Sequence, residues 1–146
     1  MLRAIRMAAE YDFNLESHAF QAMRHMGRNL SKAGPDRART EFLRLICAPH
    51  ASRGLKLMVD THLLEVICGI SSEMMSQDNL VAISNLIQTI DETPKNATTR
   101  LPLFYRCFGK NLGQTAIETL HYDKKTRKQL ESTLTEGICL QKRNAR

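Results

Sequence analysis

Apolar residues recur along most of the chain at intervals of three and four, which is the spacing of one helix face. Ile5, Ala8 and Ala9 share a face in residues 2–11, and Phe42 and Leu45 continue the same pattern after Pro35. We find no convincing segment with the alternating pattern of a half-buried strand. The sequence therefore predicts an all-α fold, a multi-helix array of about seven to eight short helices without a sheet.

The same periodicity sets approximate limits for each helix. Predicted helices cover 2–11, Glu16 to about Leu30, Pro35 to near Pro49, 52–60, 62–70, part of 71–91, 98–109, 113–121, and Asp123 to about Cys139. Pro35 suits a first helical turn, where its missing N–H would have no partner in any case. The segment 71–91 is expected to bury a long apolar face made of Met74, Leu80, Ile83, Leu86, Ile87 and Ile90.

One polar segment is the best candidate for an internal boundary. Residues 91–96 contain Pro94 and polar side chains but no apolar anchor, as is typical of connecting loops. We expect residues 1–92 to form one unit and residues 97–146 to form the C-terminal helices of a second.

Charge is distributed unevenly around this boundary. Residues 1–60 hold ten Lys or Arg and six Asp or Glu, residues 61–97 hold one and five, and residues 98–146 hold ten and four. Two basic ends thus flank an acidic middle, and the whole chain has a formal net charge of +6. A basic bias of this kind favours a polyanionic partner.

Several kinds of chemistry lack their motifs in this sequence. There is no glycine-rich phosphate loop, no Asp-x-Asp pair for magnesium and no His-Glu-x-x-His zinc motif. The histidines are scattered, and for His18 and His25 a surface role is favoured over metal binding. The four cysteines are far apart in the sequence, which fits reduced thiols in a cytoplasmic protein; they are Cys47, Cys68, Cys107 and Cys139. No run of about 18 apolar residues is present for a membrane span, and the first residues do not form a secretory signal.

Arginines crowd the first 44 residues. They are Arg3, Arg6, Arg24, Arg28, Arg37, Arg39 and Arg44. Guanidinium groups bind phosphates through two parallel hydrogen bonds, so several of them would line one groove if the first three helices pack together. The alternative is a solvated helix surface with local ion pairs, such as Arg37 with Glu41. Spacing alone leaves both interpretations open.

Three segments resemble the bacterial tRNA nucleotidyltransferase and poly(A) polymerase family. LRAIRMAAEYDFNLE (residues 2–16) resembles its Leu-Arg-Ala-(Ile/Val)-Arg-Phe-Ala-Ala segment, and DRARTEFLRLI (residues 36–46) is similar to its Glu-Arg-Ile-x-x-Glu-Leu segment. ASRGLKLMVDTHLLEVI (residues 51–67) follows in the expected order. The resemblance covers residues 2–70 well and residues 98–135 loosely.

The resemblance implies the C-terminal neck and body of a family member without its catalytic head. In the family, a mixed α/β head carries a Gly-Gly-x-x-Arg-Asp turn and two metal-binding carboxylates, and a neck Glu-Asp-x-x-Arg motif reads the incoming nucleotide. None of these motifs occurs here. We therefore expect no catalytic or metal-binding residue and no cofactor in this chain, which alone should be inactive. Mg²⁺ with CTP or ATP is implied only for the full-length family, with a separate head subunit as a possible partner.

The resemblance also assigns roles to individual residues. Arg3 and Arg6 match two arginines of the neck helix near the nucleotide, and Arg37 and Glu41 match a charged pair that braces the turn beneath it. Asp36 stands where the family prefers Glu, and Met7 where it prefers Phe. The expected nucleotide or RNA contacts are Arg3, Arg6, Arg37, Arg39 and Arg44, with Asp36 and Glu41 as a structural brace.

Three functions follow from these observations. The first is an RNA-binding helical domain that holds a tRNA acceptor arm or another RNA 3′ end through shape and phosphates. The second is a non-enzymatic scaffold derived from the family, in which a protein partner contacts the acidic middle and the Met-rich stretches with Met23, Met26, Met58, Met74 and Met75. The third is a DNA-binding helix-turn-helix protein, for which we find no recognition helix with a suitable turn.

Overall fold

The computed structural model of this 146-residue chain describes residues 2–11 and 34–144, with side chains described up to residue 134. The described helices are α1 (Leu2–Tyr11), α2 (Pro35–Ile46), α3 (Ala51–Asp60), α4 (Leu63–Cys68), α5 (Gln77–Thr89), α6 (Ala97–Arg106), α7 (Gly109–Thr119) and α8 (Lys124–Asn144). No strand occurs in these two ranges, and the predicted all-α class is confirmed. The helix predicted from Glu16 to Leu30, with Arg24, Arg28, His18 and His25, lies outside the described residues.

Helix α2 begins where the sequence predicts. Pro35 is its first residue, and Gly34 before it has a φ of 89°, a left-handed value that glycine adopts without strain. Helix α4 is short because left-handed residues bound it, with His62 at φ 63° and Gly69 at φ 66°. A Cβ at position 69 would lie 2.3 Å from the Thr119 hydroxyl oxygen, so this glycine also lets α4 approach the end of α7.

A single apolar core joins the helices. Phe42 of α2 packs on Phe104 of α6 with ring centroids 4.9 Å apart, and both side chains are buried with Ile5 of α1. Helices α7 and α8 approach closely at Gly113, where a Cβ would lie 2.8 Å from a methyl group of Leu134. The core therefore includes residues from both sides of the polar segment 91–96.

The segment 71–91 buries less of its apolar surface than we expected. Ile83, Leu86 and Ile90 are buried, but Met74 is 58% and Leu80 is 44% exposed. Ser76 explains the difference, because its hydroxyl accepts the N–H of Asn79 in a capping box that starts α5 at Gln77. Met74 consequently precedes the helix in a short 3₁₀ turn, and the helix phase turns Leu80 toward solvent. The expected burial is wrong for these two residues.

Residues 91–96 are bonded to the helices on either side. The Asp91 carboxylate accepts the N–H and the hydroxyl of Ser52 at 2.9 and 2.5 Å, which holds it at the start of α3. Thr93 accepts hydrogen bonds from Arg100 through both its carbonyl and its hydroxyl. The division into units 1–92 and 97–146 stays a prediction.

Candidate nucleic-acid interface

A buried arginine joins α1 to α2. Arg6 donates from Nη1 to Glu10 Oε1 at 2.5 Å one turn along its own helix, and its Nε lies 2.5 Å from Glu41 Oε2 on α2. The side chain of Arg6 is only 7% exposed, while those of Glu10 and Glu41 are 19% and 17% exposed. The hydrogen bond to Glu10 is the largest cause that holds the pKa of Arg6 above its ordinary value, and Glu41 adds to it against the effect of burial.

A second ion pair fixes the relative direction of the two helices. Arg44 Nη2 lies 3.2 Å from Glu10 Oε1. Since Arg6 meets Glu41 and Glu10 meets Arg44, the contacts advance the same way along both helices, and α1 and α2 run broadly parallel. We call this row of contacts the α1–α2 seam, defined by Arg6, Glu10, Glu41 and Arg44.

The parallel direction places two exposed arginines at one end of the seam. Arg3 precedes Arg6 by three residues and Arg37 precedes Glu41 by four, so each lies about one helical turn before the buried pair. Both side chains are exposed. The first turns of α1 and α2 end on the same side, and helix N-termini add positive potential there. Two exposed arginines and two helix N-termini thus lie toward this end of the seam, together with the exposed carboxylate of Asp36 in the first turn of α2.

Arg39 is used differently from its neighbours. Its Nη1 donates to the carbonyl oxygens of Leu120 at 3.1 Å and His121 at 2.5 Å, and its Nη2 lies 3.2 Å from the Asp36 carboxylate. The two carbonyls follow the last turn of α7, where helix carbonyls have no partner within the helix. Arg39 therefore ties α2 to the end of α7, with part of its side chain open to solvent.

The predicted site arginines thus differ in how many partners they have within the protein. Arg6 and Arg39 spend their hydrogen bonds inside the protein, Arg44 has one carboxylate partner, and Arg3 and Arg37 are exposed. Glu41 meets Arg6 across the seam instead of Arg37 four residues before it, and the brace assigned to Asp36 and Glu41 stays a prediction. Asp36 forms a pair with Arg39 while remaining largely exposed.

Arg100 is a buried arginine that stabilises the fold, and the sequence analysis did not identify it. It is fully buried, and its Nη1 donates to the carbonyls of Ile46 at 2.9 Å and Ala48 at 2.7 Å. Burial lowers the pKa of Arg100, and the charge of Asp91 acts in the opposite direction. The guanidinium satisfies the carbonyls at the end of α2. Its one signal in the sequence is a charge at the start of an apolar helix, before Leu101 and Phe104.

The comparison with known proteins starts from residues 12–71. They match the profile of a family described as "Probable RNA and SrmB- binding site of polymerase A". CCA-adding enzymes of Streptococcus pyogenes serotypes M5, M3 and M12 are 31% identical over 81 residues, which is 56% of this chain and 20% of each relative. Part of the chain is therefore similar to an RNA-binding segment of polymerase A and to CCA-adding enzymes.

The similarity covers a limited part of these relatives. The aligned residues span a fifth of the length of the CCA-adding enzymes that they match. No solved structure was found to match the chain. Among the predicted site arginines, three fall within the matched residues 12–71, namely Arg37, Arg39 and Arg44. Arg3 and Arg6 precede the matched residues.

A second basic surface lies at the start of α8. Lys124, Lys125 and Lys128 are exposed there. A cavity of about 530 Å³ has Asp36 and Arg39 of α2 on one wall and Asp123 and Thr126 at the start of α8 on another. The start of α8 therefore lies across this cavity from the beginning of α2.

Two further features of the described residues concern metal binding and membrane spans. Among the residues whose side chains the structure describes, no group of three or more His, Cys, Asp or Glu lies together as a metal site. A search of the described helices for one long and apolar enough to cross a membrane found none.

Proposed function

We propose that this chain is an RNA-binding helical domain that holds a tRNA acceptor arm or another RNA 3′ end at the Arg3–Arg37 end of the α1–α2 seam. The observation that carries the proposal is the division of labour among the arginines. Arg6 forms two ion pairs within the protein, which fixes α1 on α2 and leaves Arg3 and Arg37 exposed one turn away.

The chemistry of this end suits a phosphate backbone. A guanidinium donates two parallel hydrogen bonds to a phosphate, and helix N-termini favour anions because their N–H groups are unpaired. Recognition through phosphates and shape is how proteins bind double-helical RNA, whose deep groove is closed to side chains. Arg44 of α2 is also exposed, and Arg39 keeps part of its side chain open to solvent, so both can add contacts to phosphates. The match of residues 12–71 to an RNA-binding family segment supports the same assignment.

Nucleotide addition by this chain requires a separate catalytic head in our proposal. Two-metal phosphoryl transfer needs acidic ligands held together, and those would come from a head subunit that also binds Mg²⁺ and CTP or ATP. We place the protein in the cytoplasm, where tRNA processing and reduced cysteines occur together.

Binding and activity assays test this proposal separately. Fluorescence anisotropy should show tRNA binding that falls steeply with salt, because bound arginines release counterions from phosphates, and tRNA should displace labelled duplex DNA. Equal affinity for both nucleic acids would reduce the interaction to non-specific electrostatics. With tRNA, Mg²⁺, CTP and ATP, the purified chain should add no nucleotides. Incorporation above background would contradict the requirement for a head.

A further inference from the structure

The solvent-facing side of α5 carries no charge after Asp78 in its first turn. Residues 79–90 form a run of twelve residues without Asp, Glu, Lys or Arg, the longest such run in a chain that is 25% charged. The inner side of the helix buries Ile83 and Leu86 in the core. Its outer side leaves Leu80 44% and Val81 48% exposed. Exposed helix surfaces in globular proteins normally carry charges, so this one departs from the rule.

The exposed residues of α5 have the composition of an interface. Ser84, Asn85 and Gln88 are exposed beside Leu80 and Val81. We call these five residues the α5 face. Depletion of charged residues, with apolar side chains among neutral polar ones, is characteristic of the buried centre of protein interfaces. Met74 is 58% exposed just before the helix and extends the apolar surface at that end.

Acidic residues stand at both ends of the α5 face. Glu73 and Asp78 are exposed at its start, and Asp91 and Glu92 follow its end. Thirteen residues separate Asp78 from Asp91, which corresponds to about 20 Å along a helix axis. Asp91 already accepts two hydrogen bonds from Ser52, so Glu92 is the freer carboxylate at that end.

These charges select among the possible occupants. RNA is excluded because phosphates would meet carboxylates at both ends. A second copy of the chain is disfavoured because two α5 faces, packed in either direction, bring acidic ends against acidic ends. A protein helix with an apolar stripe and Lys or Arg at both ends complements the apolar centre and both acidic ends. The surface also lies outside residues 12–71, which match the family segment.

We propose that the α5 face is a docking surface for a protein partner that presents an amphipathic helix with basic ends. The apolar stripe of the partner packs on Leu80 and Val81, and its basic ends meet Asp78 and Glu92. The surface binds this partner independently of the RNA proposal, because it shares no residue with the α1–α2 seam.

The test uses a synthetic helical peptide of about 18 residues, with leucines along one stripe and two lysines at each end spaced to match the acidic ends. Isothermal titration should show binding to the full chain, weakened at least tenfold by Val81→Arg and a few-fold by Asp78→Asn. Asn111→Arg is the matched control, because it adds the same charge at an exposed position of α7 and should leave the affinity unchanged. Melting curves should show that all three variants fold, since the replaced side chains are exposed.

Three results would overturn the proposal. The first is equal peptide affinity for Val81→Arg and Asn111→Arg. The second is a dimer of the wild-type chain in sedimentation that Val81→Arg converts to a monomer, which would make a second copy the occupant. The third is a loss of RNA affinity in Val81→Arg that exceeds the effect of Asn111→Arg, which would assign the surface to RNA.

Discussion

Two buried arginines hold this fold together in different ways. At the α1–α2 seam, Arg6 meets two carboxylates, Glu10 and Glu41, at 2.5 Å each. At the junction between α2 and α6, Arg100 meets only oxygens of neutral groups, the carbonyls of Ile46, Ala48 and Thr93 and the hydroxyl of Thr93. The first arrangement is an ion-pair network, and the second is a cap on the end of a helix.

The difference shows what each arginine leaves behind when it is removed. Loss of Arg6 leaves two partly exposed carboxylates, one of which keeps Arg44 as a partner. Loss of Arg100 leaves several carbonyls in the core without a donor, and these cannot relax toward water. A charge whose partners are backbone atoms is therefore the more costly one to remove in this molecule.

Arg100→Met should have the largest effect on stability. We expect a loss of about 3–4 kcal/mol in the free energy of unfolding, because buried acceptors lose their hydrogen bonds while the side-chain volume is kept. Urea denaturation followed by circular dichroism measures it. Arg100→Lys should recover part of the loss, since one ammonium cannot reach all four oxygens. A loss below about 1 kcal/mol would contradict the cap, because a buried unsatisfied group costs at least that much.

Arg6→Met should cost less, about 2–3 kcal/mol, because its two carboxylates are partly exposed, although removal of one partner from a buried ion pair is generally destabilising. The double variant Arg6→Met with Glu41→Gln should regain about 1 kcal/mol, since it removes one uncompensated charge. No second substitution can compensate for the loss of Arg100 in this way, because its main partners are backbone carbonyls. If the double variant is less stable than the single one, the ion-pair description of the seam is wrong.

The sequence predicted the helices well because their apolar periodicity and their end signals are local. Pro35 marked the start of α2, and the polar residues near 91–96 marked a connection. It did not predict that Met74 and Leu80 would be exposed, since the capping box at Ser76 and the contacts of α5 set the helix phase. An exposed helix and a buried helix share the same period of 3.6 residues.

The residues of the candidate site could be predicted only in part from the sequence. A family resemblance singled out the arginines, but spacing could not say that Glu41 meets Arg6 across two helices, because residues 12–33 separate α1 from α2 in the sequence. Arg100 was missed because its partners are backbone carbonyls, which every residue carries. Sequence reasoning detects complementary side chains more easily than it detects a side chain aimed at the main chain.

Gly54→Ala probes the packing beneath the seam. A Cβ at this position of α3 would lie 2.9 Å from Leu45 Cγ on α2 and 3.0 Å from Ala9 Cβ on α1. We expect a loss of about 1–2 kcal/mol from overpacking, measured by thermal and urea unfolding. Lys56→Ala on the exposed side of the same helix is the control and should change stability by less than about 0.5 kcal/mol. A stabilising Gly54→Ala would mean that the three helices are packed more loosely.

Cysteine alkylation is the prediction with the smallest expected effect. It compares Cys47, near the junction between α2 and α6, with Cys107 in the core. Burial raises the pKa of Cys107 to about 12, and it raises the pKa of the half-buried Cys47 with Arg100 acting in the opposite direction. Iodoacetamide at pH 8 should therefore modify Cys47 before Cys107, as peptide mass mapping can show. Stability should fall as pH rises from about 9 toward 12, because the unfolded Cys107 thiol ionises in that window and the folded one does not. Equal alkylation rates would contradict the burial of Cys107.

The most direct measurement of the central claim compares RNA affinity in two charge-matched double variants. Arg3→Ala with Arg37→Ala removes both exposed arginines at the end of the seam, and Lys56→Ala with Lys110→Ala removes two exposed charges on α3 and α7. We expect the arginine pair to weaken tRNA binding at least tenfold and to lower the salt slope by about one to two, with melting temperatures unchanged. Equal losses in the two variants, or no loss in the arginine pair, would contradict an RNA interface at this end of the seam.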